Sequence, residues 1–175
     1  VDYGTISHGT LMAGLLISSG YQDGIARGVT LGMAAALSAD GDDNTGSESR
    51  VALAIRWCIF DFEADIISLS LGGEQNQESS REGATVSATR QALDLGIYVV
   101  AAAGNDGGST DDGYVSAPGN VALAITVGAS DRFNEVWSKS SSGEQVDSEG
   151  NLRTYPNQKP ELTAPGVSIV STGMN

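Results

Sequence analysis

Apolar positions along the chain follow two periods. Leu31-Gly-Met-Ala-Ala-Ala-Leu37, Asp65-Ile-Ile-Ser-Leu-Ser-Leu71, Ile97-Tyr-Val-Val-Ala-Ala-Ala103 and Ala122-Leu-Ala-Ile-Thr-Val127 are mainly apolar runs of strand length. Between them lie segments with helical spacing. One carries Val51, Leu53, Ala54, Ile55, Trp57 and Cys58; another runs from about Ser80 to Leu95 and is closed by Gly96. Near the start, Ser7 is a suitable N-cap for a helix beginning His8-Gly-Thr-Leu-Met-Ala-Gly-Leu-Leu-Ile. Strands apolar on both faces and separated by helices predict an α/β fold, a parallel central sheet with helices on both faces. Ligands of such sheets bind beyond the carboxyl ends of the strands. Those ends are polar and glycine-rich at Ser70-Leu-Gly-Gly73 and Ala103-Gly-Asn-Asp-Gly-Gly108, so the site is expected there.

The 175 residues suit one domain, with polar loops at Asp40 to Glu48 and Ser138 to Gln158. The uninterrupted apolar stretches fall well short of the ~20 residues that cross a bilayer, so no membrane partner is expected. A single cysteine, Cys58, excludes an intrachain disulfide, and a single histidine, His8, excludes a multi-histidine metal site. The formal net charge is −13, with seven arginines, Lys139 and Lys159 scattered along the chain. No basic patch is available to neutralise phosphates, so nucleic acid is not an expected partner. Val1 is not a start methionine, and the chain reads as a processed or excised piece whose signal peptide would not be visible.

Taken singly, His8 is better explained by a structural histidine, and Asn105 by a strand-ending turn residue. Their order among other motifs changes that reading. Ser7-His-Gly-Thr10 with Ala13-Gly14 resembles the histidine motif of subtilisin-like serine proteases, the subtilases. Ile67-Ser-Leu-Ser-Leu-Gly-Gly73 resembles their substrate-binding strand, and Val99-Val-Ala-Ala-Ala-Gly-Asn-Asp-Gly107 their oxyanion segment. Ala117-Pro-Gly119, Ile125-Thr-Val-Gly-Ala-Ser-Asp131 and Pro160-Glu-Leu-Thr-Ala-Pro-Gly-Val167 match later landmarks in the same order. The resemblance covers nearly the whole chain and implies the subtilisin-like three-layer fold. It assigns His8 as the general base that takes a proton from a serine hydroxyl and returns it to the leaving amine. It assigns Asn105 as the side-chain donor to the developing oxyanion. Ser70, Leu71 and Gly72 would pair with the substrate backbone as an added strand, and Ala102, Ala103 and Gly104 would form one wall of the primary specificity pocket. Asn44, Thr45 and Gly46 are candidates for the opposite edge. The Ala117-Pro118 bond is a candidate cis peptide.

The family's aspartate motif normally precedes the histidine motif by tens of residues, and its serine motif follows the Ala-Pro-Gly landmark. Neither is found here, so the chain is expected to be the central part of the catalytic domain, truncated at both ends. Asp2 stands too near His8 to substitute, and no serine occupies a comparable strand-to-helix turn. Losing a sheet strand and the serine helix would expose apolar surface. Companion fragments carrying the two motifs, or a self-association partner, are therefore expected.

No cofactor is required by this reading. The resemblance implies structural calcium as an option, without a clear site. Asp40-Gly-Asp-Asp-Asn-Thr-Gly46 has Thr45 and Val51 where an EF-hand needs glycine and glutamate, and reads as a solvated loop. The loop Ser18 to Gly24 looks short for the family's calcium loop. Gly104 to Gly108 lacks the spacing and lysine of a phosphate cradle, which sets aside a nucleotide-binding domain. Ser138 to Gln158 is expected to be a surface hairpin around Gly143 and Gly150, with an exosite as the sharper option. Cys58 is expected to be inert packing. The function implied is a secreted serine endopeptidase acting on polypeptides through an acyl-enzyme. The alternative is a non-catalytic domain of the same fold that binds peptides or proteins.

Overall fold

The computed structural model describes residues 8–40, 43–45, 48–73, 83–110, 114–143, 154 and 158–172. The chain divides into two compact units, one formed by Val1–Glu63 with Val170–Asn175 and the other by Ala64–Ile169.

In the first unit, helix α1 spans His8–Ile17, a hairpin pairs β1 (Ser38–Asp40) with β2 (Asp43–Thr45), and α2 spans Glu48–Phe60. The proposed cap Ser7 lies outside the described residues. Helix α2 buries Val51, Ala52, Ile55 and Ile59, a stripe at the 3.6-residue period. Leu53 and Trp57, read from the sequence as part of the apolar pattern, face away from that stripe and are exposed. Trp57 instead stacks on Phe62, with ring centroids 5.3 Å apart. The run Leu31 to Leu37 forms no strand. It is built of glycine, alanine, leucine and methionine, with no residue branched at Cβ, and such residues favour a pleated backbone weakly. Ser171 Oγ ties the returning end of the chain to α1 by donating to the Leu11 carbonyl at 2.6 Å.

The second unit is a four-stranded sheet in the order β3 (Ile66–Leu69), β4 (Tyr98–Ala102), β5 (Ile125–Ser130), β6 (Leu162–Pro165), all parallel. Helix α3 (Ala84–Asp94) carries the chain from β3 to β4 and packs on β4, which gives the α/β arrangement expected. Its C-terminus closes at Gly96, the stop that the sequence predicts. Gly96 takes φ +84°, its N–H donates to Leu93 O at 2.9 Å, and Ile97 N–H donates to Ala92 O at 3.0 Å. This pair of bonds is a Schellman closure, and the left-handed φ favours glycine there.

Alternate residues of the strands are fully buried: Ile67 and Leu69, Val99 and Ala101, Thr126 and Ser130. The intervening positions are more open, with Ile66 and Tyr98 directly opposite one another and 61% and 66% exposed. Strand β5 begins later than the apolar run suggested. Val121 N–H donates to Pro118 O at 3.0 Å and Ala124 N–H to Val121 O at 3.2 Å, so residues 118–124 turn, and the strand starts at the β-branched run Ile125-Thr-Val127. The peptide bonds before Pro118 and Pro160 are cis.

Cys58 is half-buried on α2, and burial pushes its thiol above the ordinary value, against a smaller lowering by a backbone hydrogen bond. The thiolate is the reactive form, so raising the pKa leaves little of it near neutral pH. Alkylation by iodoacetamide, followed by mass, is expected to be slower than that of free cysteine near neutrality. It should accelerate as the pH climbs past the ordinary thiol range; rapid labelling at neutral pH would contradict the buried placement.

Candidate active site

Strands β3 and β4 are parallel neighbours, with Leu69 opposite Ala101 at their last pair. Both chains therefore leave the sheet at the same end. This brings Ser70–Gly73 beside Ala102–Asn105, where the sequence places the substrate strand and the oxyanion segment. Ser70 and Gly72 are exposed, Leu71 is half-buried, and Asn105 is exposed. Ala102 and Gly104 are half-buried. Ala103 is 1% exposed, its N–H donates to Val127 O at 3.0 Å, and its carbonyl accepts from Ser116 N–H at 2.7 Å. The backbone of Ala103 is thus engaged within the unit.

Two further segments hold these strand ends. Gly73 and Ala117 exchange a pair of backbone bonds, each 3.1 Å, in an isolated antiparallel bridge. On the other side, Ser141 N–H donates to Gly104 O at 3.1 Å, Asp106 N–H donates to Ser141 Oγ at 2.9 Å, and Gly107 N–H donates to Lys139 O at 3.1 Å. Asn105 therefore sits on a stretch fixed at the residues before and after it. A side chain held on a bonded backbone is a better donor to a transient charge than one on a loose loop.

Ser116 was not singled out from the sequence. A Cβ built on Gly72 would lie 2.8 Å from Ser116 Cβ, and one built on Gly104 would lie 3.2 Å from the same atom. The Ser116 side chain therefore fills the space between the two candidate walls. The available signal was its position just before Ala117-Pro-Gly119, a small polar residue between a buried Val115 and a turn. Ser141, fully buried, was hidden within a serine run that gave no periodic cue.

His8 opens α1 in the first unit, where it is half-buried and engaged in an interaction. Asn44 and Thr45 form β2 in that unit, and Gly46 lies outside the described residues. Of the polar insertion, residues 144–153 and 155–157, including Gly150, also lie outside them. Gly143 N–H, within the insertion, donates to the carbonyl of Lys159 just past its end at 3.1 Å. Among the described residues, no group of three or more His, Cys, Asp or Glu stands close enough to hold a metal ion. Among the same residues, no helix is long and apolar enough to cross a membrane.

A family model described as the subtilase family matches residues 3–175. Serine protease AprX of Bacillus subtilis is 33% identical, the match covering 97% of this chain and 40% of that protein. Subtilisin of Bacillus pumilus is 30% identical, over 95% of this chain and 53% of its own length. The chain thus spans about half, or less, of these curated relatives. Among solved structures, sphericase superposes with a TM-score of 0.67 and 28% identity, over 97% of this chain and 55% of that one. The prenylagaramide maturation protease PagA superposes with a TM-score of 0.52 at 22% identity over 62% of this chain, a likeness of fold alone.

Gly104 takes φ +111°, and a Cβ there would also lie 2.8 Å from Ser141 Oγ. Backbone strain and collision act together, so Gly104→Ala is expected to lower stability by about 1–3 kcal/mol. Chemical denaturation of the protein measures it; an unchanged midpoint would contradict both the positive φ and the close contacts at Gly104.

Proposed function

The chain belongs to the subtilase family, and from that we propose that it forms the central part of a serine endopeptidase, supplying the base, the oxyanion donor and much of the peptide cleft. In this reading an extended polypeptide adds as a strand along Ser70–Gly72, using backbone groups at the end of β3 for affinity. His8 removes the proton from the nucleophilic serine as that oxygen attacks the scissile carbonyl, then delivers it to the departing amine. The Asn105 amide donates to the oxygen that gains negative charge in the tetrahedral intermediate. Water then releases the acyl group by the same steps in reverse order. Ala102, Ala103 and Gly104 form one wall for a substrate side chain, and Ser116 closes the space between the two strand ends.

The observation that carries the reading is the shared exit of β3 and β4. It sets an exposed, glycine-containing segment beside an asparagine on a hydrogen-bonded backbone. The nucleophilic serine and its aspartate partner are assigned to the rest of the protein, since the sequence here holds neither motif and the relatives are about twice as long. An apolar sheet face supports this division. Ile66, Tyr98, Val100, Val127 and Leu162 share one side by register, and Ile66, Tyr98 and Leu162 are exposed. Companion polypeptide, or a second copy, would cover it. An extracellular location is part of the same proposal, supported by relatives such as the extracellular serine proteinase of a Thermus species, 33% identical.

The 175 residues alone are expected to show negligible peptide hydrolysis, whereas the full-length protein should cleave peptides and be labelled by a fluorophosphonate. Intact mass under denaturing conditions identifies any companion chain carrying the label. Within the full-length enzyme, Asn105→Ala should lower kcat by on the order of 10²–10³, the range for oxyanion donors in general, subtilisin's among them. His8→Ala should lower it by at least as much. Peptide binding without hydrolysis or labelling in the full-length protein would favour the non-catalytic alternative.

A further inference from the structure

The polar groups that the proposed chemistry leaves unused converge on one buried threonine. Lys159 is 5% exposed, and its ammonium donates to Ala124 O at 2.6 Å and to Glu161 Oε1 at 2.5 Å. The second carboxylate oxygen of Glu161 accepts from Thr126 N–H at 2.7 Å, and Glu161 N–H donates to Thr126 O at 3.2 Å. Thr126 itself is 0% exposed, and its hydroxyl donates to Gly119 O at 2.5 Å. Glu161, held by Lys159, thus grips Thr126 at both backbone groups, and the hydroxyl hands that position on to the turn at 116–119.

That turn touches both strand ends of the cleft. Ser116 N–H bonds the carbonyl of Ala103, and Ala117 is bridged to Gly73. Gly119 is pressed so closely that a Cβ would lie 2.8 Å from Ala102 O and 3.0 Å from Thr126 Cγ2. A buried ion pair is a poor source of net stability, because desolvating two charges offsets most of their attraction. A fully bonded polar network does, however, restrict its members to one arrangement.

We propose that Thr126, gripped by Glu161, which is itself paired with the buried Lys159, is a positioning residue for the peptide cleft, its hydroxyl setting the 116–119 turn and hence the spacing between Gly73 and Ala103. The inference rests on the reading of these strand ends as a peptide cleft. The Asn105 stretch is held separately by Lys139 and Ser141. Displacing the turn therefore weakens peptide binding more than it slows the chemical step.

The test uses the full-length protein, with steady-state hydrolysis of a hexapeptide p-nitroanilide and anisotropy of a fluorescein-labelled extended decapeptide. Thermal unfolding is followed in parallel, so that rates refer to folded enzyme. Thr126→Val removes the hydroxyl at nearly constant volume and should raise KM and the decapeptide Kd about tenfold, the scale of one lost buried hydrogen bond, with kcat changed less than threefold. Thr126→Ser keeps the hydroxyl and should restore KM and Kd to within about twofold. Should Thr126→Val fail to fold, Glu161→Gln, which keeps an acceptor for Thr126 N–H but loses the charge, should show the same split in smaller measure. Lower stability with wild-type KM and Kd in folded variants overturns the proposal and leaves the protease reading standing. A wild-type protein that binds the decapeptide without hydrolysis sinks the protease reading, and the Kd of Thr126→Val still decides the proposal. Failure of the wild type to bind or cleave either peptide overturns both.

Discussion

Parallel pairing of β3 with β4 is the constraint on which the site depends. Parallel strands leave a sheet in the same direction, so Leu69 opposite Ala101 obliges Ser70–Gly72 and Ala103–Asn105 to emerge side by side. An antiparallel pair would send them to opposite ends. The cost is that two departing backbones need hydrogen-bond partners beyond the last ladder rung. Those partners come from far along the chain. Ala117 and Ser116 satisfy Gly73 and Ala103, while Lys139 and Ser141 satisfy the stretch around Asn105.

This arrangement explains a core that is more polar than a four-stranded apolar sheet would suggest. Thr126, Ser130, Ser140, Ser141 and Lys159 are all buried in the same unit. Several donate or accept at backbone atoms of neighbouring segments; Ser140 Oγ, for example, accepts from Ala129 N–H at 3.0 Å. Small hydroxyl side chains allow loops to approach the strands closely and still meet their amides. Bulky apolar groups would fill the same volume but leave those amides unbonded, which is the more expensive outcome.

Much of the architecture was legible because it depends on local pattern. Alternating apolar runs and helical stripes indicated β3, β4, α2 and α3, and Gly96 marked the end of α3. The polar, glycine-rich runs Ser70–Gly73 and Ala103–Gly108 follow directly on β3 and β4, as their sequence position indicated. Departures arose where neighbours, not local preference, decide the backbone. Leu31 to Leu37 has the apolarity of a strand but an alanine-rich composition that pairs weakly. Ala122 to Ala124 reads as strand, yet the ammonium of Lys159 takes the Ala124 carbonyl and Val121 is drawn into a turn by Pro118.

The sequence by itself determined the period of each element, the positions of glycine at αL turns, and the motif order that identifies the family, because each depends on residues close together in the chain. Only the tertiary structure decided that Ser116 lies between Gly72 and Gly104, and that Glu161, paired with Lys159, closes on Thr126. Thr126 and Glu161 are separated by 35 positions. No periodicity spans such a gap, so the contact appears only once parallel strands β5 and β6 bring the Glu161 carboxylate to the Thr126 N–H.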